Sequence, residues 1–157
     1  MMFERVEDHP VARRRGHFDS WQDMYERYRE RGSYPLWRDD IFRDYCEHGV
    51  VPSADGAGVD LACPPTVEAT IYMHHFDVDL YAMMPDISQP VAILRAKERD
   101  PDAGEMDFSS SPTAPDLAQV FPNATDVYLP ELTHFIPMQE PEMVARYIEH
   151  ENPKERV

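Results

Sequence analysis

Apolar residues recur with a helical period in the first third of the chain. Four of them stand three and four residues apart on one face of the first segment: Trp21, Met24, Tyr25 and Tyr28. Charged residues occupy the opposite face, so the pattern predicts an amphipathic helix. Asp19 or Ser20 can accept hydrogen bonds from the first helical amides, and Gly32 supplies a stop signal after the last turn.

Two further helices and one short extended element are predicted before residue 75. A helix from residue 39 or 40 to residue 48 carries three apolar or aromatic residues on its inner face: Ile41, Phe42 and Tyr45. Residues 66–73 are predicted to form another helix. The two prolines at 64–65 open it, since proline in a first helical turn costs no hydrogen bond. Between them, the alternation of Val59, Leu61 and Cys63 predicts a short strand or an extended segment. Residues 74–84 are predicted to be irregular and to end in a helical turn.

The pattern changes after residue 89 to strands that alternate with helices. Residues 91–94 are a continuous apolar run, which is typical of a strand buried on both faces of a parallel sheet. A second strand is predicted at 125–129, with helices at 115–120 and 141–150. Strands separated by helices indicate β/α units, and we therefore predict the α/β class.

Charge and composition exclude several functional classes. The 157 residues include 15 Lys and Arg against 30 Asp and Glu, for a formal net charge of -15. Binding to a phosphate backbone needs clustered basic residues, so we exclude nucleic acid as a partner. With 42% hydrophobic and 11% aromatic residues, the chain has enough apolar surface to form a folded core.

The sequence indicates neither a membrane segment nor a disulfide framework. Its apolar runs are far shorter than the roughly 20 residues that a spanning helix requires, and its N-terminal segment lacks the apolar core of a secretory signal. Cys46 and Cys63 do not form a C-x-x-C pair, and we predict that both are small buried hydrophobic residues. We therefore expect a cytoplasmic protein with no membrane partner.

His134 is the leading candidate for a catalytic residue. It lies between the second predicted strand and the terminal helix. Catalytic groups in open α/β sheets lie beyond the carboxyl ends of the strands, and a histidine there can act as a general base. The alternative for His134 is a surface or capping histidine.

The polar loop at 96–112 delivers acidic residues to the same edge of the sheet. A carboxylate that accepts a hydrogen bond from Nδ1 of His134 would fix its tautomer and stabilise the imidazolium. Asp100 is the first choice for this acid, with Asp102 and Asp107 as alternatives. Because acids are frequent in this chain, each can equally be a solvated loop residue.

The segment from His74 to Asp79 contains histidine and aspartate but does not indicate a metal site. Adjacent residues point in different directions, and no H-x-x-x-H or H-x-E spacing organises them. We predict a linker whose polar groups are solvated or paired. No cofactor and no metal are expected.

The order of elements and several local sequences resemble the C-terminal part of an α/β-hydrolase. The β/α region contains PVAILR from Pro90, FPNA from Phe121 and LPELTHFIPMQEP from Leu129. The helical region contains RRR at 13–15, YCEHG at 45–49 and LACPP at 61–65, and it resembles the cap that some members carry between strands six and seven. The resemblance runs from about residue 9 to residue 150. It implies a partial α/β-hydrolase fold, with a helical cap-like region at 1–88 followed by the β/α units of a parallel sheet at 89–157.

For chemistry, the resemblance implies a triad of nucleophile, acid and histidine in that chain order. His134 matches the family's histidine and Asp100 its acid, while Thr133 stands where the family usually has glycine. The family's nucleophile lies on a G-x-S-x-G elbow, and the six glycines of this chain do not form that motif. The serine cluster at 109–111 is predicted to be a loop rather than a nucleophile.

The resemblance therefore implies the C-terminal portion of a hydrolase for small, largely apolar esters, inactive without a nucleophile from outside this chain. The small-molecule substrate would bind only after an N-terminal half completes the site. Aromatic residues of the cap could line its pocket, although we expect most of them to be core. A second hypothesis is a non-catalytic module that forms a homodimer or complements a separate chain through its unpaired sheet edge. A third is a gene remnant that folds poorly.

Overall fold

The structure is a computed structural model that describes residues 4–74, 79–102 and 109–149. Contacts divide the chain into two units. The first comprises Met1–Pro35 and Asp39–Val78, and the second comprises Leu36–Arg38 and Asp79–Val157. The domain boundary expected after residue 88 stays a prediction.

The α-helices of the first unit lie close to their predicted positions. Apolar spacing predicted α1 at Trp21–Tyr28 and α2 at Asp39–His48, and the two prolines at 64–65 predicted α3 at Pro65–His74. Ser20 is the N-cap of α1, and its hydroxyl accepts a hydrogen bond from the amide of Asp23 at 3.1 Å. Met24 of α1 and Phe42 of α2 are buried. After α1, Gly32 adopts a φ of 56°, the left-handed conformation expected of a stop signal.

Three short antiparallel strands complete the first unit: β1 at His17–Phe18, β2 at Val50–Pro52 and β3 at Val59–Leu61. Their order in the sheet is β1-β3-β2. The β2 to β3 connection turns at Gly56 and Gly58, whose φ angles of 77° and 79° favour glycine. The sequence predicted β3 alone, because its alternation extends beyond the strand to Cys63. The two residues of β1 and the Val-Val-Pro of β2 show no alternation.

The two cysteines differ in environment, and only one matches its prediction. Cys46 is fully buried on α2, and burial raises the pKa of its thiol to about 11. Cys63 is exposed, so the prediction that it is buried was wrong. It lies just beyond the end of β3, where the chain leaves the sheet.

The second unit contains a two-stranded parallel sheet, β4 at Val91–Ala96 and β5 at Ala124–Leu129. Val91 lies opposite Ala124, and the register continues to Ala96 opposite Leu129. Two helices follow β5: α4 at Ile136–Gln139 and α5 at Pro141–Glu149. The parallel pairing and the terminal helix confirm the expected β/α organisation.

Three details of this unit differ from the sequence predictions. Residues 91–94 are half-buried rather than buried on both faces, and burial is complete only at Arg95 and Ala96. The helix expected at 115–120 is a 3-10 turn at Leu117–Val120, and Asp116 before it forms no side-chain cap. The four-residue helix α4 was not predicted.

The expected linker and membrane features can be compared only within the described residues. Residues 75–78 of the segment from His74 to Asp79 lie outside them, and the helical turn expected by residue 84 is a 3-10 turn at Met84–Asp86. In the described ranges no helix is long and apolar enough to cross a membrane. The same ranges contain no cluster of three or more His, Cys, Asp or Glu arranged for a metal ion.

Candidate functional site

The candidate site lies in the second unit, where the loops after β4 and β5 leave the carboxyl edge of the sheet. The two loops remain paired beyond the strands, since the amide of Lys97 donates to the carbonyl of Leu132 at 3.0 Å. Leu132 in turn donates its amide to Leu129 at 3.1 Å and closes a turn at the end of β5. The backbone that leads to His134 is therefore attached directly to the sheet.

The far end of the loop after β4 returns to this edge. The amide of Ser111 donates to the carbonyl of Lys97 at 3.0 Å, and the amide of His134 donates to the carbonyl of Ser109 at 2.9 Å. Residues 109–111 thus contact both the start of their own loop at Lys97 and the loop that carries His134. The sequence predicted these serines as a loop, but it gave no sign that they contact the backbone of His134.

Thr133 fixes the loop on the other side of His134. It is buried, and both its amide, at 2.9 Å, and its hydroxyl donate to the side-chain oxygen of Gln139 at the end of α4. A glycine at position 133 would lack this hydroxyl. The threonine that departs from the family pattern therefore has a structural role, because it joins the His134 loop to α4.

A pocket of about 190 Å³ opens beside His134. Its lining is mostly aliphatic and consists of Leu94, Ala96, Ile136, Pro137 and Val144. Three polar side chains also line it: Ser111, Thr113 and His134. The side chain of His134 is exposed, and its ring centroid lies 5.6 Å from that of Phe135. An accessible imidazole at the side of an apolar pocket is suited to proton transfer with a small, largely apolar substrate.

The three candidate acids have different positions. Asp100 is exposed, and its Oδ1 accepts a hydrogen bond from the amide of Asp102 at 2.9 Å, which is an Asx-turn. Within the described part of the chain, neither Asp100 nor Asp102 forms a hydrogen bond with the His134 ring. Asp107 lies outside the described residues. The pairing of His134 with Asp100 stays a prediction.

A different acid of this unit, Asp126, forms a strong ion pair that sequence reasoning missed. The Arg95 guanidinium donates to both carboxylate oxygens of Asp126, at 2.6 and 2.8 Å, and also lies 5.0 Å from the ring centroid of Tyr128. The hydrogen bonds from Arg95 lower the pKa of Asp126, and Asp126 raises that of Arg95. Asp126 is thus committed to Arg95 and is a poor candidate for orienting His134.

The first unit contains a second pocket of about 200 Å³. Six residues line it: Arg14, Met24, Tyr28, Tyr34, Tyr45 and Leu61. Tyr45 is one of the cap aromatics that the sequence indicated as core or as pocket lining. In contrast, its α2 neighbour Phe42 is buried and belongs to the core.

Comparison with known proteins supports the fold. A solved structure of an E-2-(acetamidomethylene)succinate hydrolase matches 84% of this chain with a TM-score of 0.56 and 22% sequence identity. The chain spans 45% of the length of that hydrolase. No protein-family model and no curated protein matches the present chain. The structural similarity, together with the parallel β4–β5 sheet, supports a partial α/β-hydrolase fold.

Proposed function

We propose that this chain is the C-terminal portion of an α/β-hydrolase and supplies the catalytic histidine and acid to a nucleophile carried by other sequence. The observation that carries this proposal is the setting of His134, which lines an apolar pocket just beyond the carboxyl end of β5. The structural similarity to a hydrolase supports it. The aliphatic lining favours small, largely apolar esters as substrates.

His134 acts first as general base and then as general acid in this proposal. Its imidazole takes the proton of the nucleophile as that group attacks the ester carbonyl, and it returns the proton to the leaving alcohol. In the completed enzyme that we propose, Asp100 moves to accept a hydrogen bond from Nδ1 and orients the ring, a contact that the described residues do not make. Because Oδ1 of Asp100 accepts from the Asp102 amide, Oδ2 is the oxygen assigned to His134.

We assign the nucleophile to sequence outside this chain. Ser111 lines the same pocket as His134, but its hydroxyl accepts a hydrogen bond from the amide of Thr113 at 3.3 Å. It lies in a loop without the strand, sharp turn and helix that expose a nucleophile on its elbow. The proposal leaves open whether the external nucleophile is Ser, Asp or Cys.

The test takes the case of a serine nucleophile. The DNA immediately upstream is read for a frame that encodes a G-x-S-x-G elbow, and that frame is joined to this chain; unrelated upstream sequence would contradict the proposal. Hydrolysis of p-nitrophenyl acetate is followed. E-2-(acetamidomethylene)succinate is assayed separately as a second substrate, because the structurally similar protein is named for it. We expect His134→Ala to lower kcat by about 10²- to 10⁴-fold. The matched control is His48→Ala, which removes an exposed histidine at the end of α2 and should change kcat less than twofold. Full activity in His134→Ala would refute the proposal.

The same assembly tests the acid. We expect Asp100→Asn to lower kcat by roughly 10⁴-fold, because the asparagine holds His134 in the wrong tautomer. Asp102→Asn and Asp107→Asn are the matched controls. If one of these two abolishes turnover while Asp100→Asn does not, the acid assignment is wrong but the role of His134 stands.

A second candidate function is a non-catalytic module that dimerises or complements a separate chain. The observation in its favour is β4, whose residues 91–94 are only half-buried although parallel strands are usually covered on both faces. This candidate predicts unrelated sequence upstream and a concentration-dependent dimer in light scattering. An upstream frame that encodes the elbow would favour the hydrolase.

A further inference from the structure

Arg14 stays charged in the partly buried pocket of the first unit. Burial lowers the pKa of Arg14, but Tyr45 and Glu68 together raise it, and the net shift is upward. Nη1 of Arg14 lies 3.1 Å from Oε2 of Glu68. Nε is buried and, among the residues that the structure describes, has no hydrogen-bond partner. Tyr45 is a second hydrogen-bond partner of Arg14. Because a guanidinium offers five N–H donors, Arg14 retains donors for a further acceptor beyond Glu68 and Tyr45.

The tyrosines around Arg14 provide an aromatic wall. The ring centroid of Tyr34 lies 5.6 Å from that of Tyr28 and 5.9 Å from that of Tyr45. Burial, and then the neighbouring Tyr45, raise the pKa of Tyr34. The pocket thus combines a cation with aromatic ring faces.

We propose that this pocket binds a small carboxylate, with its anionic group on Arg14 and its apolar part against Met24, Tyr28 and Leu61. Arginine and carboxylate match in geometry, because two parallel N–H donors meet two oxygens. The volume of about 200 Å³ exceeds the roughly 150 Å³ cavity that admits benzene in another protein, so a ring of that size fits. Arg14 disfavours a cationic ligand, and Glu68 beside it disfavours a multiply charged anion.

This site does not depend on the proposed hydrolase function. All six lining residues belong to the first unit, whereas His134 and its pocket belong to the second. Binding of a carboxylate is therefore expected to persist in His134→Ala. Failure of one proposal is distinguishable from failure of the other.

The first arm of the test uses the unmodified 157-residue chain and isothermal titration calorimetry at pH 7. Benzoate is the probe, and benzamide is the matched neutral ligand of nearly the same shape. We expect benzoate to bind at least tenfold more tightly than benzamide. Equal affinities, or no saturable binding of benzoate, would overturn the proposal. This arm needs only the unmodified chain, so its result does not depend on whether the variants below fold.

The second arm compares two neighbouring arginines. Arg14→Gln removes the charge from the pocket and should weaken benzoate binding at least tenfold. Arg13→Gln makes the same change at an exposed position that pairs with Asp8 at 3.2 Å, outside the pocket lining, and should change the affinity less than twofold. A loss in Arg13→Gln equal to that in Arg14→Gln would show a nonspecific charge effect and contradict the assigned site.

Discussion

Arg95 is the only charged residue within Val91–Ala96, yet it is nine-tenths buried. The burial is tolerated because Asp126 on β5 accepts two of its hydrogen bonds and the ring of Tyr128 lies against it. Residue spacing along one strand could not reveal this pair, since it depends on the register that sets Ile93 opposite Asp126. A charge inside an otherwise apolar strand was the available signal that Arg95 has a partner. That partner is the acid on the neighbouring strand.

Replacing Asp126 should destabilise the second unit. In Asp126→Asn the Arg95 guanidinium loses its compensating charge while it stays buried, so we expect the melting temperature to fall by roughly 4 °C or more. The matched control is Asp116→Asn, at an exposed acid that forms no side-chain cap. Thermal denaturation at pH 7, followed by circular dichroism, compares the two. Equal melting temperatures in both variants would contradict the stabilising role of the pair.

The effect of Asp126→Asn should also depend on pH in one direction. The folded-state pKa of Asp126 is lowered, so its contribution to stability is complete above the unfolded-state pKa of about 3.9 and is lost as the pH falls through the folded-state value. Native and Asp126→Asn chains should therefore differ by a constant amount from pH 7 to pH 5. They should converge below about pH 4. A difference that grows on acidification would have the wrong sign.

Among secondary-structure elements, those with a strong local signal were predictable. Apolar spacing sufficed for α1, α2 and α5, the two prolines at 64–65 for α3, and apolar or β-branched composition for β4 and β5. The segment at 115–120 forms a 3-10 turn instead of the predicted α-helix, because six residues provide too few turns for an α-helix without tertiary support. At the site, the position of His134 followed from element order. The return of residues 109–111 to His134 did not, because it depends on non-local backbone hydrogen bonds.

The β2 to β3 turn provides a matched pair of glycines. Gly56 and Gly58 both have positive φ, but a Cβ on Gly56 meets open space, whereas one on Gly58 would lie 2.3 Å from the carbonyl oxygen of Phe18. We expect Gly56→Ala to cost about 1–2 kcal/mol of unfolding free energy. Gly58→Ala should cost more, because the backbone of β1 must also move. Urea denaturation measures both, and an equal cost would show that the contact with Phe18 is not restrictive.

For the whole molecule, length and charge alone were compatible with a self-sufficient acidic domain. Two findings bear on this question. Its parallel sheet contains β4 and β5 in the described residues, and the similar hydrolase structure is matched over only 45% of its length. Our proposed function assigns the nucleophile and further strands to other sequence, and this assignment is its central claim.

The most direct measurement is fluorophosphonate labelling followed by mass spectrometry, on this chain alone and on the chain joined to the upstream half with its elbow serine. We predict no label on the lone chain. In the joined protein the label should lie on the elbow serine, at a rate that His134→Ala lowers at least 100-fold and His48→Ala leaves unchanged. Stoichiometric label on Ser109, Ser110 or Ser111, or an elbow serine whose labelling does not depend on His134, would contradict the account.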